Sequence, residues 1–227
     1  MRRIVLVLIV VLGLVRMPAR AAEITTQTGV ARSGSSTVAE RGFVAARAHE
    51  LRVRYPTTAA ARRGGYFRYT DEDRAGIIAY ANLRWQSDDH HPSQLWYDER
   101  GRLIGADFSR YVTDRTKRPR LWGLSPERWT HFIEHVHFGT RSGGVRYGAI
   151  YIDSYRDAGG DPRHPTAHPV VRLGFARNDR DVRFVFYFPE LWVASVWLVP
   201  NPLGAFADTN PSVPVKHRNA RDPHVAL

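Results

Sequence analysis

The chain lacks several residue types and patterns that identify common classes of protein. It has no cysteine among its 227 residues, which excludes disulfides, thiolate metal ligands and cysteine nucleophiles. It has neither a Gly-x-Ser-x-Gly motif nor a Gly-rich phosphate loop, so serine hydrolases built on that motif and P-loop proteins are excluded. The longest apolar run covers only residues 4–15, short of the roughly twenty residues that a membrane-spanning helix needs.

That apolar run belongs to a predicted export signal. Basic residues precede it, and the small-x-small sequence Ala19-Arg20-Ala21 follows it. This order is typical of a cleaved secretory signal peptide. We therefore predict a signal peptide over residues 1–21, cleavage after Ala21 or Ala22, and a secreted or periplasmic protein with no stable membrane anchor after cleavage. An N-terminal membrane anchor is the alternative.

The positive charge of the chain is dispersed rather than concentrated in one patch. The formal net charge is +11. Four arginines lie within the predicted signal, namely Arg2, Arg3, Arg16 and Arg20, and their removal leaves a charge of +7. Only Lys117 and Lys216 are lysines, and the densest basic cluster, residues 115–120, is short. This pattern is typical of a solvated surface, and we expect no nucleic-acid partner.

The remaining sequence predicts a single α+β domain over residues 38–210, between a flexible N-terminal segment, residues 22–37, and an extended tail, residues 211–227. Apolar spacing predicts helices over Val38–Val53 and Ala59–Arg63. The predicted strands are Gly76–Trp85, Gln94–Tyr97, Arg102–Tyr111, Val145–Ile152, Val170–Ala176, Val182–Phe188 and Leu191–Val199. Short turns between them indicate a mainly antiparallel sheet with a few helices packed on one face.

A third helix is predicted from Ser125 to Val136. The sequence Ser125-Pro126-Glu127 supplies an N-cap, a first-turn proline and an acidic first turn. Apolar residues continue along one side of this helix as far as Val136. The helix matters because it contains most of the histidines that could carry chemistry.

Four short motifs recur together in one known group of proteins. They are the Ala-rich helix end with Gly-Tyr at Thr57–Tyr66, the hairpin Leu95–Phe108, the segment Pro119–Gly123, and Val196–Ala207 followed by Asn210-Pro211. In these motifs the chain resembles an uncharacterised family of exported bacterial proteins. The resemblance implies export and the hairpin, and it implies no activity. The chain departs from that family at Leu191 and Ser195, where family members often carry two histidines.

One segment has the pattern of a metal site. His131-Phe132-Ile133-Glu134-His135 matches the His-x-x-Glu-His signature of inverted-zincin metalloproteases. On the predicted helix, His131 and His135 lie one turn apart on one face, so both imidazoles reach one Zn²⁺. Glu134 beside them would polarise a metal-bound water. The sequence therefore predicts His131, His135 and His137 as candidate metal ligands and Glu134 as a candidate catalytic base.

The same histidines also fit a purely structural role, bonded to carboxylates or to the backbone at the edge of the core. The metalloproteases with this signature are much larger, and they take a third ligand from a downstream glutamate, for which only Glu190 is present here. Two further histidine clusters, in residues 88–91 and 164–168, are predicted to be exposed loops. Neighbours so close in sequence rarely bind one ion without distant help.

Two functions follow from these observations. The first is a non-enzymatic binding domain of the cell envelope, whose partner is a small ligand or another envelope protein and which needs no cofactor. The second is a metal-dependent hydrolase with Zn²⁺ or another divalent transition metal at the His131–His137 segment. Polyanion binding is a weaker third hypothesis because the arginines are dispersed.

Overall fold

The computed structural model describes residues 35–85, 88–141 and 146–216, together with the backbone of three two-residue strands at 24–25, 27–28 and 225–226. The predicted signal peptide, residues 1–21, lies outside the described residues. Within them, no helix is both long enough and apolar enough to cross a membrane.

The strands are numbered in chain order. They are β1 (Ile24–Thr25), β2 (Gln27–Thr28), β3 (Phe67–Arg68), β4 (Ile78–Ala81), β5 (Gln94–Tyr97), β6 (Leu103–Tyr111), β7 (Trp129–Phe132), β8 (His135–Thr140), β9 (Tyr147–Tyr151), β10 (Val182–Phe188), β11 (Leu191–Trp197) and β12 (Val225–Ala226). The helices are α1 (Val38–Arg54), α2 (Thr58–Arg63), α3 (Ile152–Asp157) and α4 (Ala167–Arg172), with single 3-10 turns at Pro126–Arg128 and Asp179–Asp181.

Two antiparallel sheets form the centre of the molecule. The larger has the strand order β2-β7-β11-β6-β5-β4-β3, the smaller has the order β10-β8-β9, and β1 pairs separately with β12. Every pair is antiparallel. The predicted class, α+β with a mainly antiparallel sheet and a few helices, is confirmed.

Helices α1 and α2 cover one face of the larger sheet. Thr37 caps α1 through its hydroxyl, which accepts from the Glu40 amide, and the Glu40 carboxylate accepts from the Thr37 amide in return. This reciprocal pair satisfies two amides that the first helical turn leaves open. Phe43 and Leu51 of α1 then pack on the sheet, where Phe43 meets Phe108 edge-on at 5.1 Å. The predicted helices Val38–Val53 and Ala59–Arg63 are both confirmed.

The other face of the larger sheet packs against the smaller sheet. Their shared interior, here called the inter-sheet cluster, contains mainly aromatic side chains, including Trp85, Trp96, Trp197, Phe132, Phe186 and Phe188. Helices α3 and α4 cover the outer face of the smaller sheet through Tyr155 and Val170. The layers therefore run helix, sheet, sheet, helix, and side chains that alternate along each strand serve two different layers.

The predicted hairpin is confirmed as β5 and β6. Asp98 stabilises its turn by accepting hydrogen bonds from the amides of Arg100 and Arg102. Gly101 has φ 73°, a left-handed conformation that glycine adopts without a steric penalty. This turn fixes the register of the two strands that carry the candidate site described below.

Two of the predictions were wrong. The helix predicted over 125–136 is instead the 3-10 turn Pro126–Arg128 followed by β7 and β8, and Ser125 makes no side-chain capping bond. The strand predicted over 170–176 does not form, because residues 170–172 end the short helix α4 and residues 173–176 are turns that follow it. Strand β10 pairs with β8 and not with that segment. In both places, contacts with distant segments override the local sequence signals.

The predicted tail begins in contact with the rest of the fold. Val213 is buried in the inter-sheet cluster, and the Lys216 amide donates to Glu72 at 2.9 Å. Strand β12 also pairs with β1, which lies in the segment predicted to be flexible.

Candidate functional site

The predicted metal ligands lie in two different layers of the fold. His131 lies in β7 on the face that α1 covers, where its Nε2 contacts Glu190 Oε1 at 2.7 Å and its ring lies 5.1 Å from that of Trp192. Glu190 also accepts from Arg115. Although burial raises the pKa of Glu190, the hydrogen bonds from Arg115 and His131 leave it below its ordinary value. His131 is therefore part of a hydrogen-bond network around Glu190.

His135 and His137 lie in β8 and face the inter-sheet cluster. Two residues apart on a strand, they point to the same side, and both are buried. Their Nε2 atoms are 2.9 Å apart. The structure thus brings together two of the three predicted ligands. The helix expected to align His131 with His135 is absent.

Glu134, the candidate catalytic base, lies between β7 and β8. Its carboxylate accepts a hydrogen bond from the Tyr187 hydroxyl. Among residues 35–85, 88–141 and 146–216, no group of three or more His, Asp or Glu side chains is arranged to hold a metal ion. The hydrolase hypothesis thereby loses the helix geometry on which it depended.

The histidines of the two predicted loops take part in local surface pairs. Three of them bond to a carboxylate: His90 to Glu50, His91 to Asp88 and His164 to Asp161, at 2.7–2.9 Å. Such exposed pairs contribute little to stability and do not indicate a site. His168 lies in the first turn of α4, so the loop predicted over 164–168 ends where that helix begins.

A different site lies on the inner face of the larger sheet. Strands β5, β6 and β11 place Gln94, Asp107 and Ser195 in one row, because Asp107 is the register partner of both other residues. Above this row is a cleft of about 290 Å³. Its walls come from strand residues and from the loops at 70–77 and 206–209, and its lining includes Thr70, Asp73, Arg74, Ile77, Trp96, Thr130, Phe132, Phe206, Asp208 and Thr209.

Asp107 forms the floor of this cleft, and two side chains hold its carboxyl group. Ser195 Oγ donates to Oδ1 at 2.6 Å and Trp96 Nε1 donates to Oδ2 at 3.0 Å. Trp96 reaches this position because Gly105 opposes it, and a Cβ atom on Gly105 would lie 2.1 Å from the indole ring. The site therefore depends on a glycine that gives the tryptophan its space.

Burial gives Asp107 unusual acid–base behaviour. Loss of solvation raises the pKa of its carboxyl to about 7, and the negative charge of Asp73 adds to the rise, while the hydrogen bonds from Ser195 and Trp96 oppose it. The carboxyl group consequently changes charge near neutral pH. Strongly shifted carboxyls in clefts are typical of functional sites.

The rim of the cleft adds further polar groups. Asp73 accepts from the amides of Ala75 and Ile77, both at 2.8 Å, which fixes the carboxylate at the cleft wall. Asp208 is at the opposite loop, and burial raises its pKa. Arg74 is the one basic residue among those that line the described cleft. Three carboxyl groups against one guanidinium make the cleft acidic in a chain whose net charge is +11.

Sequence reasoning missed Asp107, although one signal was present. Asp107 is an acid inside an otherwise apolar strand, Leu103–Phe108, and acids are rarely buried without a reason. Ser195 stands out in the sequence only as a departure from the family that the chain resembles. It is the residue that bonds Asp107.

Comparison of the chain with protein-family models, curated proteins and solved structures finds no match. The resemblance to a family of exported proteins therefore stays a prediction.

Proposed function

We propose that this protein is an exported binding domain of the cell envelope and that its ligand is a small organic cation held in the Asp107 cleft. The observation that carries the proposal is the Asp107 carboxyl group, buried at the floor of a cleft of about 290 Å³. That volume is close to the lower end of small-ligand pockets, about 300–1,000 Å³. The cleft thus suits a compact ligand rather than a polymer.

The charge of the cleft favours a cation. Asp73, Asp107 and Asp208 outnumber Arg74, and a ligand ammonium group would compensate the carboxylate that burial disfavours. A ligand of this kind would lower the pKa of Asp107 on binding. Its affinity would consequently depend on whether Asp107 is ionised.

The apolar walls fit the carbon part of such a ligand. Trp96, Phe132 and Phe206 line the cleft, and aromatic rings attract both methylene groups and cations. Polar side chains between the rings offer hydrogen bonds that would orient the ligand. An envelope protein as partner remains the other hypothesis, and the concave shape of the cleft favours a small molecule over it.

The test compares cations with neutral molecules of the same shape. Isothermal titration calorimetry would use choline and its isostere dimethylbutanol, and butylamine and its isostere butanol. We expect the cations to bind at least about tenfold more tightly. Their affinity should rise about tenfold per pH unit up to about pH 7 and then level off, because the ionised Asp107 is the binding form.

Two variants complete the test. Asp107→Asn should weaken the binding of the cations and remove its pH dependence, since the amide carries no charge at any pH. Asp153→Asn is the matched control, because it removes one acid whose side chain is 92% exposed on α3. Equal binding of neutral isosteres, or cation binding that survives Asp107→Asn, would contradict the proposal.

A further inference from the structure

A surface groove, here called the α1 groove, lies between helix α1 and the segment that follows β11. Its volume is about 750 Å³, and its walls come from α1 residues between Arg41 and Val53 and from residues 197–201. The second wall is held in place, because Asn210 Nδ2 donates to the Pro200 carbonyl oxygen at 3.0 Å. The α1 groove shares no lining residue with the Asp107 cleft, so it is a separate feature of the fold.

The charged side chains of the α1 groove all have one sign. Arg41, His49 and Arg52 line it, and no Asp or Glu is among the described residues that do so. Arg41 donates to the Ser36 carbonyl oxygen and Arg52 to that of Leu198. Backbone carbonyls orient both guanidinium groups but leave their positive charge without a negative partner in the described part of the chain.

The other two arginines of α1 differ from this pair. Arg47 and Arg54 both bond the Glu50 carboxylate, at 3.1 and 2.8 Å. One helix therefore neutralises the arginines beside Glu50 and leaves those of the α1 groove without a carboxylate. An anionic occupant would supply one, through the charge-assisted hydrogen bonds that a guanidinium group makes with carboxylates.

The spacing of the charges indicates the kind of anion. Arg41 and Arg52 are eleven residues apart on α1, which is about 16 Å along the axis at 1.5 Å per residue. His49 lies on the same side of the helix. A molecule with one anionic head group reaches only one end of this row. An extended peptide covers the distance in about five residues at about 3.3 Å each, so it can place a carboxylate at each end.

The middle of the α1 groove suits apolar side chains of such a peptide. Val44, Ala48 and Val199 line it, and the small Ala48 leaves room for a backbone to approach the helix. Val53 lies at one end and is 72% exposed. A bound peptide with apolar residues between its acids would cover these side chains and remove their surface from water.

We propose that the α1 groove binds an extended acidic segment of a protein partner. The segment carries carboxylates four to six residues apart on one side, which pair with Arg41 and Arg52, and apolar side chains between them. This is a second binding function, and it does not depend on a ligand in the Asp107 cleft.

Two peptides that differ only in charge test the proposal. Fluorescence anisotropy would use dye-labelled Glu-Ser-Leu-Ser-Leu-Ser-Glu and its counterpart with Gln in place of both Glu. In an extended chain the Glu and Leu side chains of the first peptide all face one side. An exposed ion pair contributes up to about fivefold in affinity, so we expect the acidic peptide to bind about 25-fold more tightly. Salt should reduce this difference.

Variants of α1 locate the binding. Arg41→Gln and Arg52→Gln should each weaken binding of the acidic peptide about fivefold. Together they should weaken it about 25-fold, because distant sites without a shared partner act additively. Neither should change binding of the neutral peptide. Arg54→Gln is the matched control, since it removes the same charge from the same helix at an arginine paired with Glu50, and it should change the affinity by less than about twofold.

The comparison of the two peptides needs only the wild-type protein, so it does not depend on how the variants fold. Equal affinity for both peptides would overturn the proposal. An equal loss in Arg54→Gln and Arg52→Gln would also overturn it, because net charge alone would then explain the binding. Binding of phosphatidylglycerol vesicles or of dodecanoate at these arginines, without binding of the acidic peptide, would assign the groove to lipid instead.

Discussion

Asp107 is the residue through which pH should act on the stability of this fold. Its pKa is raised by burial from 3.8 to about 7, so the folded state retains a proton that the unfolded chain has already released. The free energy of unfolding should therefore fall as the pH rises from about 4 through about 7. Since one pKa unit corresponds to about 1.4 kcal/mol, the whole effect is about 4 kcal/mol.

As the pH rises from about 5 to about 8, the free energy of unfolding of the wild type should fall relative to that of Asp107→Asn by about 3 kcal/mol. The measurement is urea denaturation of both proteins across that range, compared as a difference so that other titrating groups cancel. The free energy of unfolding of Asp153→Asn should change with pH as that of the wild type does, because this exposed side chain is well solvated in the folded state. A constant difference between wild type and Asp107→Asn at all pH values would show that the carboxyl titrates normally.

At the scale of elements, one buried ion pair joins α1 to the segment that leads into β7. Arg128 Nε and Nη2 bond the two Glu40 oxygens at 3.0 and 3.2 Å, and Ser125 Oγ donates to Glu40 at 2.6 Å. Burial raises the pKa of Glu40, but these hydrogen bonds outweigh it and lower the pKa to about 2. The stabilisation is thus present above pH 4.5 and is lost as the pH falls toward 2.

Glu40→Gln should destabilise the protein by about 3–5 kcal/mol, because it removes the negative charge beside a buried guanidinium group. Glu50→Gln makes the same change on the same helix, at a partly exposed pair with Arg54, and should cost at most about 1 kcal/mol. Chemical denaturation at neutral pH measures both. Similar losses in the two variants would mean that burial of the pair adds nothing.

The same scale shows what sequence could and could not predict. Helices α1 and α2 and the β5–β6 hairpin were predictable because their caps, turns and apolar spacing are local. The helix predicted over residues 125–136 was wrong because Ser125-Pro126-Glu127 resembles a helix start, yet only one 3-10 turn follows it. Strand β7 forms there because it pairs with β11, some sixty residues away, and no local pattern contains that information.

The candidate site was unpredictable for the same reason. Asp107 and Ser195 are 88 residues apart in sequence, and only the register of β6 with β11 brings them together. The spacing of His131 and His135 predicted a pair on one helix face, whereas the structure pairs His135 with His137. On a helix His135 would have joined His131, whereas a strand places alternate residues on one side.

At the scale of the whole molecule, the net charge of the chain and the charge of the Asp107 cleft have opposite signs. The chain is strongly basic, with a net charge of +11, and it places an acidic cleft on the inner face of its larger sheet. A surface of that sign repels small cations at a distance, so the affinity of the cleft must come from contacts at short range. Salt should therefore not weaken cation binding, in contrast to the steep loss expected of polyanion binding.

Export itself has a direct test in a bacterial host. The full chain should yield a soluble extracytoplasmic protein whose mass lacks residues 1–21 or 1–22, since a twelve-residue apolar run is too short to remain as a membrane-spanning helix. Leu8→Arg places a charge inside that run and should leave the uncleaved chain in the cytoplasm, whereas Val38→Arg is the control, since it adds the same charge at a residue 77% exposed on α1. Intact protein in the membrane fraction would instead identify the segment as an anchor, and the Asp107 cleft would then belong to a tethered domain.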